Sequence, residues 1–188
     1  MGTSRNDPSP DLPSWRRARA MLGDSQFSPS QQGAALWQAA VTERSSKLIQ
    51  ELSDPMLVRA CAIADQRSPA VTALRQFDDH AFETRSASVT LEFARRALAR
   101  AATRGGGSGE FAAELFGEIT GYYASRDLPS IVATPNRVRT VSESIRLADA
   151  VRGAVRQRVQ SLGDPGHRQR EWVSYVRRVL DLLRVPPG

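Results

Sequence analysis

The sequence predicts an all-α fold: a compact bundle of about six to seven helices with a disordered N-terminal arm. Three observations predict it. A capping side chain stands directly before proline at Ser28-Pro29, Asp54-Pro55, Ser68-Pro69 and Asp164-Pro165. That pairing starts helices, because proline's missing N–H is not needed at the first helical position and its φ is already helical. Apolar residues also recur at spacings of three and four through most of the chain, the period of one helix face. Strand signals reduce to Ser130-Ile131-Val132-Ala133, hemmed in by Pro129 and Pro135.

Taken in order, residues 1–27 hold Pro8, Pro10 and Pro13 among Ser, Asp, Arg and Gly, a composition that reads as a mostly disordered arm. Within it, Trp15, Ala18 and Leu22 share a face at i, i+3 and i+7 after Ser14. One or two such turns need a surface to order them, either their own domain or a partner, so Trp15 is a candidate partner contact. The rest, 28–188, is the helical domain, with helices expected over 29–52, 55–66, 69–80, 84–103, 109–125, 140–162 and 166–184. Ser28 with Gln31, and Thr140 with Glu143, have capping-box spacing. Val141, Ile145, Ala148, Val151, Val155, Val159 and Leu162 form a stripe expected to be buried. Leu91, Ala94, Leu98 and Ala101 form another, until Gly105-Gly106-Gly107 stops the helix. Phe111, Leu115, Ile119 and Tyr122 line the next helix, and Trp172, Val176, Val179 and Leu183 the last. The glycine-rich segment 105–109 reads as a linker, a hinge between two subdomains, 28–104 and 108–188. It lacks the preceding strand and the Gly-Lys-Ser/Thr ending that a phosphate loop requires.

Composition bounds the function. Hydrophobic residues at 40% and charged residues at 24% exclude wholesale disorder. No apolar run approaches the roughly 18 residues of a membrane span, so no membrane partner is expected. Asn6 stands where a myristoylation signal needs Ser or Thr, and no apolar segment follows the N-terminus. With the single Cys61, which permits no internal disulfide, the expectation is a cytoplasmic protein. Lys47 is the only lysine among 26 basic residues, a bias that GC-rich codons explain, since 25 alanines and 13 glycines accompany it. Position says more: residues 1–94 carry 10 basic and 11 acidic side chains, whereas 95–188 carry 16 and 9. The positive charge belongs to the C-terminal half.

Few constellations carry chemistry. Arg75-Gln76-Phe77-Asp78-Asp79-His80 has an Arg-x4-His spacing that resembles the ribonuclease motif of HEPN domains, which are themselves all-helical. The resemblance implies His80 as acid or base on a ribose 2′-hydroxyl and Arg75 steadying the phosphate. The bland alternative is a solvated helix end where Arg75 pairs with the acids. Glu110, Glu114 and Glu118 make a carboxylate stripe, expected to face solvent or the arginines of another helix. The chain has no Glu-x-x-His, so no metal and no cofactor is expected. Cys61 sits in the apolar run 58–64 and reads as a small core hydrophobe. Arg126, Asp127, Asn136, Arg137 and Arg139 fall in or beside a long connection between helices, a place where recognition residues collect. Arg152 and Arg156 lie at i, i+4, and Arg170, Arg177 and Arg184 form a heptad line. The expected function is a non-enzymatic adaptor or regulatory subunit, whose basic C-terminal half docks on an acidic protein surface through Trp15, Arg126, Arg137, Arg139, Arg152, Arg156, Arg170, Arg177 and Arg184. The alternatives are a module binding RNA or DNA through the same arginines, and the ribonuclease using Arg75 and His80.

Overall fold

The computed structural model describes residues 12–86, 88–132 and 140–186. These are helical, without strands: α1 Pro13–Gly23, α2 Pro29–Leu52, α3 Pro55–Asp65, α4 Ala70–Glu83, α5 Val89–Thr103, α6 Ser108–Val132, α7 Val141–Gln160 and α8 Gln169–Leu183. The caps read from sequence form at three helices. Ser28 Oγ accepts from Gln31 N and Thr140 Oγ1 from Glu143 N, each with its reciprocal bond, and Asp54 accepts from Met56 N.

α6 is the centre. Every residue from Phe111 to Thr120 is buried, so the helix is enclosed on all sides rather than along one stripe. α5 and α7 flank it, α1, α2 and α3 also pack on it, and α8 closes the bundle against α2, α3 and α7. Small residues let the helices approach. A Cβ on Gly33 of α2 would lie 2.6 Å from Val155 Cγ2 of α7, so only glycine permits that crossing. Indole N–H groups tie distant segments together inside the core: Trp37 donates to Thr120 Oγ1 at 2.8 Å and Trp172 to the Leu52 carbonyl at 2.6 Å.

Several expectations change. Among the described residues there are eight helices, against the six to seven expected, because α1 belongs to the bundle. Residues 12–27 are therefore not a disordered arm, and residues 1–11 lie outside the described residues. Trp15 is fully buried with Ala18 and Leu22, against Tyr123 at 5.3 Å between ring centroids. Gln32 Nε2 donates to the carbonyls of Met21, Leu22 and Asp24, satisfying acceptors that the end of α1 leaves over. The strand candidate is helical through Val132, since α6 runs past Pro129; Ala133 lies outside the described residues. The 140–162 stripe is buried only from Ala148 to Val159, and Val141 and Ile145 are 71% and 56% exposed. α8 starts at Gln169, not 166, because Asp164 is used elsewhere.

The segment 105–109 is tied at both sides. Asp65 Oδ1 accepts from Ser108 N at 2.6 Å and Asp164 Oδ1 from Gly109 N at 3.1 Å, placing two carboxylates at the positive end of α6. One hydrophobic core runs from Trp15 to Leu183 through both halves, so this packing does not separate 28–104 from 108–188.

Candidate functional site

With the helices placed, the basic half divides into arginines that the fold consumes and arginines that it leaves outside. The carboxylate stripe of α6 does most of the consuming. Glu110, Glu114 and Glu118 project from successive turns, and α5 and α7 bring arginines to them from two sides. Arg152 Nη2 lies 3.1 Å from Glu114 and 2.8 Å from Glu118, and Arg156 reaches Glu110 at 2.7 Å and Glu114 at 2.6 Å. From α5, Arg100 pairs with Glu118 at 2.8 Å, and Arg104 with Glu110 at 3.1 Å and with Glu114. Glu114 is fully buried, so its charge is held by guanidinium groups instead of water. The Arg152 stem runs over Gly117 and Gly121, where a Cβ would meet it at 3.4 Å in both cases. The stripe thus faces arginines, one of its two expected environments. Arg152 and Arg156, 16% and 27% exposed in their side chains, are parts of the α6–α7 seam.

Other arginines are also committed. Arg126 stacks over Trp15 at 4.5 Å and Tyr123 at 5.6 Å, pinning the start of α1 to α6. Arg158 Nη2 donates to the carbonyls of Leu182 and Val185, at 2.7 and 2.9 Å, and so caps the C-terminal end of α8. Its partial burial lowers its pKa from the ordinary arginine value. Arg184 pairs with Asp181 at 2.9 Å, as their spacing allows. Trp15, Arg126, Arg152 and Arg156 therefore do interior work that sequence periodicity alone did not assign. Arg137 and Arg139 lie outside the described residues.

What remains outward on α8 is Arg170, Arg177 and Arg178, all exposed. Arg170 and Arg177 are seven residues apart on one face, with Ser174 between them. Arg178 lies beside them over Tyr175, 5.5 Å from the ring centroid. Arg178 was not among the candidate residues; it breaks the heptad spacing that singled out the others. At the start of α8, Arg170, Ser174 and Arg178 border a shallow depression of about 470 Å3 with Asp164, Gly166 and Glu171. Glu171 accepts from the amides of His167 and Arg168, at 3.2 and 3.1 Å, which orients its carboxylate toward the helix start.

The Arg75–His80 pair lies on α4 alone. Five residues of helix separate the two by about 140° around the axis, so one helix does not aim both at the same atom. Asp78 is held by Arg95 of α5 through bonds of 2.9 and 3.0 Å, not by Arg75, and His80 Nδ1 lies 3.6 Å from Glu83. Among the described residues no three His, Cys, Asp or Glu side chains group as metal ligands, and no helix is long and apolar enough to cross a membrane. No protein family, curated protein or solved structure matches the chain.

Proposed function

We propose that the protein is a non-enzymatic helical adaptor or regulatory subunit of a reducing, cytoplasmic compartment, docking on an acidic protein surface through the outer face of α8. One observation carries this reading: once the internal ion pairs are assigned, Arg170, Arg177 and Arg178 remain exposed together on α8, with no ion pair to a carboxylate among the described residues. Arginine's planar fork suits carboxylates, and a rigid helix presents three of them with no backbone left to order on docking. Asp164, Glu171 and Asp181 interrupt the surface around them, which favours a partner with matching alternation over the uniform charge of a phosphate backbone.

The experiment uses two probes, a Glu-rich helical peptide and a DNA duplex, against wild type and the double variant Arg170→Glu, Arg177→Glu. The expected result is peptide binding that the double reversal abolishes and that a Lys-rich version of the peptide restores. Duplex binding at near-physiological salt, with a log–log salt slope of about −3 that flattens in the variant, makes the protein a nucleic-acid module instead. RNA cleavage by wild type that His80→Ala removes establishes the ribonuclease reading.

A further inference from the structure

A cleft of about 310 Å3 opens between the second half of α2, the start of α5 and the middle of α6, away from the arginine face of α8. α2 is kinked at the edge of this opening. Arg44 has φ −141° and ψ 23°, which interrupts the helical ladder just before the Ser45-Ser46 pair. Beyond the kink, residues at helical spacings of three and four line one wall: Arg44, Lys47, Leu48, Glu51 and Leu52. Phe93 of α5 and Ile119 of α6 supply an apolar floor, continuous with Leu48 and Leu52.

The charged groups of the lining come from α2 and sum to a net positive charge. Glu51 is the single carboxylate, 3.5 Å from Arg44 and 3.8 Å from Lys47, so two cations share one anion and a positive charge is left over. The Arg44 side chain is only 13% exposed, which weakens screening of its charge by water. Ser88, Val89 and Thr90 form the N-terminal end of α5 and also line the cleft. A helix start carries partial positive charge and amides without intrahelical acceptors. Two side-chain cations and a helix N-terminus thus converge beside an apolar floor, in a volume at the small end of the roughly 300–1,000 Å3 found for ligand sites.

We infer that this cleft binds a small amphipathic carboxylate, an acid with a short acyl or aromatic tail. The carboxylate lies between Arg44, Lys47 and the start of α5, and the tail on Leu48, Phe93 and Ile119. A monoanion matches the single excess charge, and an apolar tail matches the floor.

Calorimetric titration with octanoate tests the assignment, with 1-octanol and acetate as probes that keep only the tail or only the charge. Octanoate is expected to bind saturably and to raise the melting temperature, while the other two do neither. Lys47→Gln is expected to weaken octanoate about two- to fivefold, as for a partly exposed charge pair, and Arg44→Gln about tenfold. Val89→Trp, at a position 55% exposed, fills the mouth; it is expected to abolish binding and to leave the melting curve of the ligand-free protein in place. The inference is overturned by octanol binding as tightly as octanoate, by octanoate binding that survives Lys47→Gln and Val89→Trp undiminished, or by no saturable octanoate binding at millimolar concentration. None of these outcomes bears on the α8 surface.

Discussion

Cys61 and Tyr175 show how burial converts a side chain's chemistry into stability. Burial is the main cause that pushes the Cys61 thiol well above its ordinary value of 9.0, and the nearby charges of Asp65 and Asp164 add to it. Tyr175 is raised from 10.0, again chiefly by burial. Both groups hold their protons in the folded state and release them more readily when unfolded. The unfolded state therefore binds fewer protons above the ordinary values, and stability falls as pH rises through 9.0 and beyond, toward the raised folded values. Urea unfolding from about pH 7 to about pH 10 is expected to show this decline, and Cys61→Ala, whatever its offset from lost packing, to flatten it. An equal slope in the variant removes the thiol as its source. That Cys61 is a core residue was legible from the apolar run around it. The fate of Trp15 was only half legible: its helical face with Ala18 and Leu22 could be read, but the surface it meets lies more than a hundred residues away at Tyr123 and Arg126, beyond any local pattern.

At the scale of elements, helix existence was legible and helix ends less so, for a physical reason. A cap is a competition for one side chain. Asp164 stands before Pro165 as an N-cap should, yet its carboxylate bonds Gly109 N of α6, and α8 begins four residues beyond Pro165. Ser88, unremarked in the sequence, caps α5 through Leu91 N. Charge behaves in the same way: the excess of arginine in the C-terminal half was countable, but not its division between interior and surface. Glu114 decides much of that division. Glu114→Gln leaves Arg152 with Glu118 and Arg156 with Glu110 as their remaining carboxylates, and is expected to cost about 1–3 kcal/mol, the range for removing one partner of a buried hydrogen-bonded group. Glu92→Gln, on an exposed position of α5, is expected to stay within about 0.5 kcal/mol. Denaturant midpoints at constant slope compare the two; equal small shifts place Glu114 outside the set of structural charges.

At the scale of the molecule, the glycine-rich segment and the single core make opposite predictions about cooperativity. A hinge between subdomains lets each half unfold on its own, whereas a shared core makes them unfold together. The structure places α6, from the C-terminal half, between α1, α2 and α3 of the N-terminal half, and fixes the segment itself through Asp65 and Asp164. Removing either half exposes buried faces of the other, so the two halves are expected to unfold together. Three tryptophans make this measurable: Trp15 and Trp37 report on the N-terminal half and Trp172 on the C-terminal half, and all three are fully buried. A variant with Trp15→Phe and Trp37→Phe leaves Trp172 as the reporter, and one with Trp15→Phe and Trp172→Phe leaves Trp37. Within each variant, tryptophan fluorescence and helical circular dichroism are expected to give one coincident urea transition, with one midpoint and one slope, as two-state unfolding demands. Comparing probes inside a variant, rather than midpoints between variants, removes the different costs of the substitutions themselves. A fluorescence transition displaced from the circular dichroism curve in either variant, with a smaller slope, identifies a half that unfolds separately and restores the hinge at 105–109.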